Sequence, residues 1–112
     1  MKMSKDNYYE LVFGVTKLIP EGRVTNYGAI ADYLGLGSSR MVGWALNNCV
    51  KGDEVPAHRV VNRKGELSGR HHFSPPESMQ IALEQEGIKV ENDKITDFDK
   101  YFWHPSELDK TL

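Results

Sequence analysis

The run Pro56-Ala57-His58-Arg59-Val60-Val61 sets an imidazole and a guanidinium directly after an alanine. Histidine can take or give a proton near neutral pH, so His58 is a candidate acid-base group. Group transfer asks for more: a lone pair on a nucleophile, most often a thiolate whose pKa a neighbouring His has lowered. Ala57 offers a methyl group. Cys49, the sole cysteine, has no adjacent His and no basic residue nearer than Lys51, and the preferred reading is a small buried hydrophobe. One cysteine allows no internal disulfide and lends no support to an oxidising compartment. His71-His72, with His58 and His104, form the candidate metal cluster. Adjacent histidines diverge in extended chain, and no cysteine or carboxylate stands at a zinc-site spacing, so neither metal nor cofactor is expected.

The elements that must position these groups are short. Tyr8, Leu11, Val12, Val15, Leu18 and Ile19 recur at helical spacing until Pro20-Glu21-Gly22 halts the pattern. Thr25 is placed to cap a second helix with Tyr27, Ile30, Ala31 and Leu34 on one face and Gly35 at its end. After a turn, Ser38 or Ser39 can cap a third helix from about Arg40 to Asn48, with Val42, Ala45 and Leu46 inward. Two short helices across a glycine-containing turn read as helix-turn-helix. Lys51-Gly52-Asp53-Glu54 reads as a polar loop. His58 to Val61 and Leu67 to Ser68, around a turn at Asn62-Arg63-Lys64-Gly65, read as a wing. Ser74-Pro75-Pro76-Glu77 carries capping-box spacing and a proline at the first helical position, predicting a helix with Met79, Ala82, Leu83 and Glu86 that stops before Gly87. Ile88 to Ile95 reads as a small hairpin.

Taken together, the ordered blocks Ile19-Pro20-Glu21-Gly22-Arg23-Val24, Thr25-Asn26-Tyr27-Gly28, Ile30-Ala31, Ser39-Arg40-Met41-Val42-Gly43, the Pro56 run, Gly65 and Glu86-Gly87 resemble the DNA-binding domain of the alkylguanine DNA alkyltransferases over roughly residues 7 to 90. Ala57 stands where those enzymes carry the reactive cysteine, and Tyr101-Phe102-Trp103-His104-Pro105 resembles the aromatic tail of the alkyltransferase-like branch. The resemblance implies a mainly α fold with a small β element, a winged helix-turn-helix. It implies one domain over residues 1–112 with a C-terminal extension at 91–112, and a monomer.

What the resemblance implies for function is a non-enzymatic reader of guanine alkylated on its exocyclic oxygen in double-stranded DNA. Such a reader flips the base, holds it without removing the alkyl group, and signals to nucleotide excision repair. Extrusion costs a few kcal/mol. Arg40, matching the intercalating arginine, can fill the gap in the stack, while Ser39 and Gly43 let the helix approach a groove closely. Met41 and Trp44 are bulkier than family members usually show. Tyr27 matches the tyrosine that crowds the phosphate and lines the extrusion pocket; by residue type alone it is a half-buried helix aromatic. Tyr27, Ala57, Val60 and Arg70 form the implied lesion pocket. Arg70 either stacks on the modified guanine or joins Arg63 and Lys64 on phosphate. His58 and Glu86 match the pair that activates the cysteine in the repair enzymes and are left here as a vestigial network, with Arg59 tying the strip to carbonyls or a carboxylate. Cys49 stands where those enzymes usually have asparagine. Alanine in place of the tryptophan many alkyltransferase-like proteins carry at position 57 should admit bulky alkyl groups at least as easily as methyl.

Composition is compatible with that reading. With 112 residues, 39% of them hydrophobic, the chain can bury about two thirds of its unfolded surface. The net charge is −2, but residues 1–72 hold ten Lys and Arg against seven Asp and Glu, net +3, and residues 73–112 hold four against nine, net −5. A local basic face with few phosphate contacts predicts weak non-specific affinity and a modest salt slope. No apolar run reaches the roughly 20 residues of a membrane span, and Met1 to Asp6 lacks the apolar stretch of a signal peptide, so a cytoplasmic protein is expected. Two rivals stand: a divergent transferase or hydrolase using Cys49 or His58 with Glu86, and a winged-helix transcription factor reading undamaged sequence.

Overall fold

The computed structural model describes residues 5–49 and 54–111. Met1 to Ser4 and most of the polar loop read at Lys51-Gly52-Asp53-Glu54 lie outside the described residues. Three helices come first: α1 (Lys5–Lys17), α2 (Tyr27–Leu34) and α3 (Ser39–Asn47), with the short strand β1 (Thr25–Asn26) leading into α2. A 3-10 turn (Ala57–Arg59) precedes β2 (Val60–Val61), and a second (Arg70–His72) precedes α4 (Glu77–Gln85). The hairpin β3 (Val90–Glu91) and β4 (Lys94–Ile95), the single turn α5 (Phe98–Tyr101) and a 3-10 segment (Pro105–Thr111) complete the order. This is the mainly helical architecture with minor strands that the sequence predicts. None of the described helices is long and apolar enough to cross a membrane.

Two apolar cores hold these elements. The first joins Tyr8, Val12, Val15 and Ile19 to Ile30 and Ala31 of α2, Val42 and Ala45 of α3, Val60 and Trp103. The second joins Val24, Val61, Leu67, Met79, Leu83, Ile88, Val90 and Ile95. Because successive strand residues point to opposite faces, Val60 enters one core and Val61 the other, so β2 fastens the two together. The stripe on α1 is narrower than the periodicity implied. Leu11 and Leu18 are 41% and 54% exposed, because the buried positions Tyr8, Val12, Val15 and Ile19 already fill the face against α2 and α3.

Three local expectations are corrected. Asn26, not Thr25, caps α2: its backbone is extended and its Oδ1 accepts from Ala29 N–H at 2.7 Å, while Thr25 is drawn into β1 opposite Val60. Ser74 and Glu77 make no capping box; α4 starts at Glu77 with Pro76 at the cap position and no side-chain cap bond, so the prolines sit before the first turn. The first extended segment of the wing is shorter than read: His58 and Arg59 lie in the 3-10 turn and only Val60–Val61 form a strand. β2 pairs in parallel with β1 (Thr25↔Val60, Asn26↔Val61), and Asn62 Oδ1 closes the turn by accepting from Lys64 and Glu66 N–H. The returning chain accepts from Asn62 N–H at Glu66 O, 3.1 Å, and then pairs with the later hairpin through a bridge from Glu66 to Lys94 and a bond from Leu67 N–H to Asp93 O at 2.9 Å.

Other predicted features are present. Gly35 ends α2 in the left-handed conformation at φ 70°, and Ser38 caps α3 by accepting from Arg40 N–H at 3.1 Å. The Ile88 to Ile95 hairpin turns on Asn92-Asp93, both at positive φ (52° and 59°), the geometry a two-residue turn between right-twisted strands requires. The aromatic tail closes over the start of the fold: Trp103 N–H donates to Val24 O at 2.7 Å and the indole is 3% exposed.

Candidate nucleic-acid interface

α2 and α3 carry the candidate face. Ser39 and Arg40 stand exposed in the first turn of α3, and Gly43 follows one turn on. A Cβ built on Gly43 meets nothing within 4 Å. Packing inside the molecule therefore gives no reason for glycine at the middle of a helix, where it costs about 1 kcal/mol relative to alanine.

Beyond the C-terminal end of α3 opens a cavity of about 570 Å³, bordered by Tyr27, Asn47, Cys49, Ala57, Val60 and Phe73 among others. That is within the range of small-molecule sites. Tyr27 reaches it as the first residue of α2, Ala57 as the first residue of the 3-10 turn, and Val60 through β2. Burial pushes the Tyr27 phenol above its ordinary pKa, against a hydrogen bond with Ser68 that lowers it. Gly69 stands so close that a Cβ there would lie 2.7 Å from the Tyr27 hydroxyl.

The structure brings Tyr27, Ala57 and Val60 to one cavity but leaves Arg70 apart. The Arg70–His72 turn aims the guanidinium into a different recess, where Nη1 donates to Leu67 O at 2.9 Å and Nε lies 3.5 Å from Asp93 Oδ2. His72 borders the cavity while His71 borders that second recess. His58 is engaged with Glu86 and His104 with Asp32, so the four histidines face four separate surroundings.

His58 and Glu86 meet behind the cavity rather than in it. Glu86, at the C-terminal cap of α4, accepts from Gly22 N–H at 2.8 Å, from Arg59 Nε at 3.0 Å and from His58 Nε2 at 2.5 Å. Arg59 also donates from Nη1 to Ile19 O at 2.9 Å, tying the strip to a carbonyl and a carboxylate together. Burial pushes the Glu86 carboxyl up, but bonds from Arg59, Gly22 and His58 outweigh it and hold the group below the usual carboxylate range. An ionised carboxylate only accepts, so His58 Nε2 carries the proton. The Glu86 carboxylate thus accepts from three residues, Gly22, His58 and Arg59.

Cys49 corrects an expectation. It is half exposed and borders the cavity instead of packing in a core. It also follows the C-terminal cap of α3, with its N–H donating to Leu46 O at 3.2 Å. Gly69, Ser68 and Phe73 are among the site residues that sequence reasoning missed. No local signal marks them, because their meeting with Tyr27 depends on the path of the chain between β2 and α4.

A family model described as 6-O-methylguanine DNA methyltransferase, DNA binding domain, matches residues 7–88. Alkyltransferase-like protein 1 of Schizosaccharomyces pombe is 32% identical over 108 residues, spanning 92% of this chain and all of that protein. The DNA base-flipping protein of Escherichia coli K12 is 36% identical over 107 residues, 92% of this chain and 80% of the relative. The crystal structure of the S. pombe protein in complex with damaged DNA containing O6-carboxymethylguanine superposes with a TM-score of 0.81 at 33% identity, over 94% of this chain and 100% of that one. On its helices, its cavity and these likenesses, the chain belongs to the 6-O-methylguanine DNA methyltransferase DNA-binding-domain family, on its alkyltransferase-like branch.

Proposed function

We propose that this protein captures guanine alkylated on its exocyclic oxygen, extruded from a DNA duplex into the cavity at Tyr27, Ala57 and Val60, and does not remove the alkyl group. The observation that carries the reading is the methyl group of Ala57 on the cavity wall, in the place where transfer chemistry requires a nucleophile. Arg40 fills the gap left in the base stack, Ser39 and Gly43 admit the backbone of α3 to the groove, and Tyr27 bounds the pocket beside the phosphate. Holding a deformed duplex converts a small chemical change into a large shape signal, which nucleotide excision repair then acts on. The S. pombe complex with O6-carboxymethylguanine DNA supports the ligand class.

With no indole at position 57, larger alkyl groups bind at least as well as methyl. A competition assay with methylated, larger-alkylated and unmodified duplexes tests both points. Preference for alkylated duplex, maintained or rising with adduct size, is the expected result; binding that ignored alkylation, or affinity falling steadily from methyl upward, would overturn it.

Cys49 gives a second reading, alkyl transfer to its sulfur, because it borders the same cavity. Protein heavier by one alkyl group at Cys49 after incubation with the alkylated duplex would favour it. A hydrolytic role for His58 and Glu86 meets the obstacle that a carboxylate held below its ordinary range and saturated with donors is a poor base.

A further inference from the structure

Trp44 is the most exposed large hydrophobic residue among those described, at 55%, whereas the second tryptophan, Trp103, is 3% exposed. Met41 and Leu46 pack against the first core; Trp44 does not. Its backbone is engaged, since its carbonyl accepts from Asn48 Nδ2 at 2.7 Å, but the indole is presented outward. An indole left in water forgoes the burial that makes tryptophan so valuable in a core.

Its neighbours along the helix indicate what covers it. Arg40, Trp44 and Asn47 follow at i, i+4 and i+7, one exposed stripe opposite the buried Val42 and Ala45. Asn47 borders the cavity, so the stripe runs from the start of α3 to the cavity mouth. No acidic residue occurs anywhere in α3, and Arg40 is its one charged side chain. A positive, carboxylate-free stripe carrying a flat apolar ring complements a polyanion with flat faces, which is what a nucleic acid is.

We infer that Trp44 is a stacking contact for duplex DNA, lying against the bases or sugars that flank the extruded nucleotide about one helical turn from the site of Arg40. This deepens the proposed function and rests on it for the flipped geometry. Because the contact is to flanking DNA rather than to the alkylated base, it raises affinity without setting lesion preference.

The two tryptophans make the test direct, since buried Trp103 supplies a constant background and Trp44 the response. Titration of the whole chain with alkylated and unmodified duplexes, followed by indole emission and by DNA anisotropy, is expected to show quenching with both. Trp44→Ala should weaken binding of both duplexes about tenfold, the loss of roughly one stacked base, and leave their affinity ratio unchanged, while Trp44→Phe keeps most of the affinity. Unchanged affinity of Trp44→Ala, unquenched emission at saturation, a loss confined to the alkylated duplex, or a dimer in sedimentation that Trp44→Ala dissolves would each overturn the inference. If the parent protein binds both duplexes equally and Trp44 is still quenched, lesion capture falls and the stacking contact stands.

Discussion

Glycine at two positions answers two different demands. Gly43 has open space around it, so Gly43→Ala should stabilise the fold by about 0.5–1 kcal/mol through helix propensity, yet weaken DNA binding because a methyl group then holds α3 off the groove. Chemical denaturation and duplex titration on the same variant should move in opposite directions; parallel changes would remove Gly43 from the interface. Gly69 is the reverse case, pressed against the Tyr27 hydroxyl. Gly69→Ala must displace the phenol, costing about 1 kcal/mol or more in stability and reducing preference for alkylated duplex. In a Tyr27→Phe background, which lacks the hydroxyl, the same substitution should cost much less, and a double-mutant cycle with no coupling would show that the pair does not shape the pocket.

At the level of elements, one carboxylate fastens three of them. Glu86 ties the end of α4 to the Ala57–Arg59 turn and to the loop before β1. Its side chain is 10% exposed and that of Arg59 15%. Glu86→Ala would leave the guanidinium without its charge partner, and about 3–5 kcal/mol of stability should be lost. The pH dependence has a definite sign. A carboxyl held below its unfolded value of about 4.3 contributes stability that is complete above that value and is lost as the pH falls through the folded one. Urea titrations of the parent across the acid range should show this fall, and Glu86→Gln should flatten it; an equally steep acid limb in the variant would assign the effect to other carboxylates.

Elements were more legible in the sequence than their junctions. The three leading helices, the left-handed Gly35 and the Asn92-Asp93 hairpin follow from periodicity and turn chemistry, both local. Thr25 and Asn26 are both good caps, and only the pairing of Thr25 with Val60 decides between them. The second side of β2 was likewise undetermined, since Val60-Val61 pairs as readily with a neighbour in sequence as with β1. The run around Ala57 identified the family, but Arg70 could not be placed: its direction depends on Asp93, held by a hairpin far along the chain.

For the whole molecule, the opposed charges of the two parts of the sequence matter less than where the positive, carboxylate-free face of α3 lies. The wall beside it presents Ala57 and Cys49 to whatever enters, and His58, Arg59 and Glu86 form a bonded network outside the cavity lining. Capture uncoupled from transfer is the claim that binds these features. The most direct measurement incubates the purified protein with an oligonucleotide duplex bearing one O6-alkylguanine, confirms complex formation, and then weighs both partners by mass spectrometry. The account predicts that neither mass changes and that the lesion is recovered whole; restored guanine, or protein heavier by one alkyl group at Cys49, would contradict it.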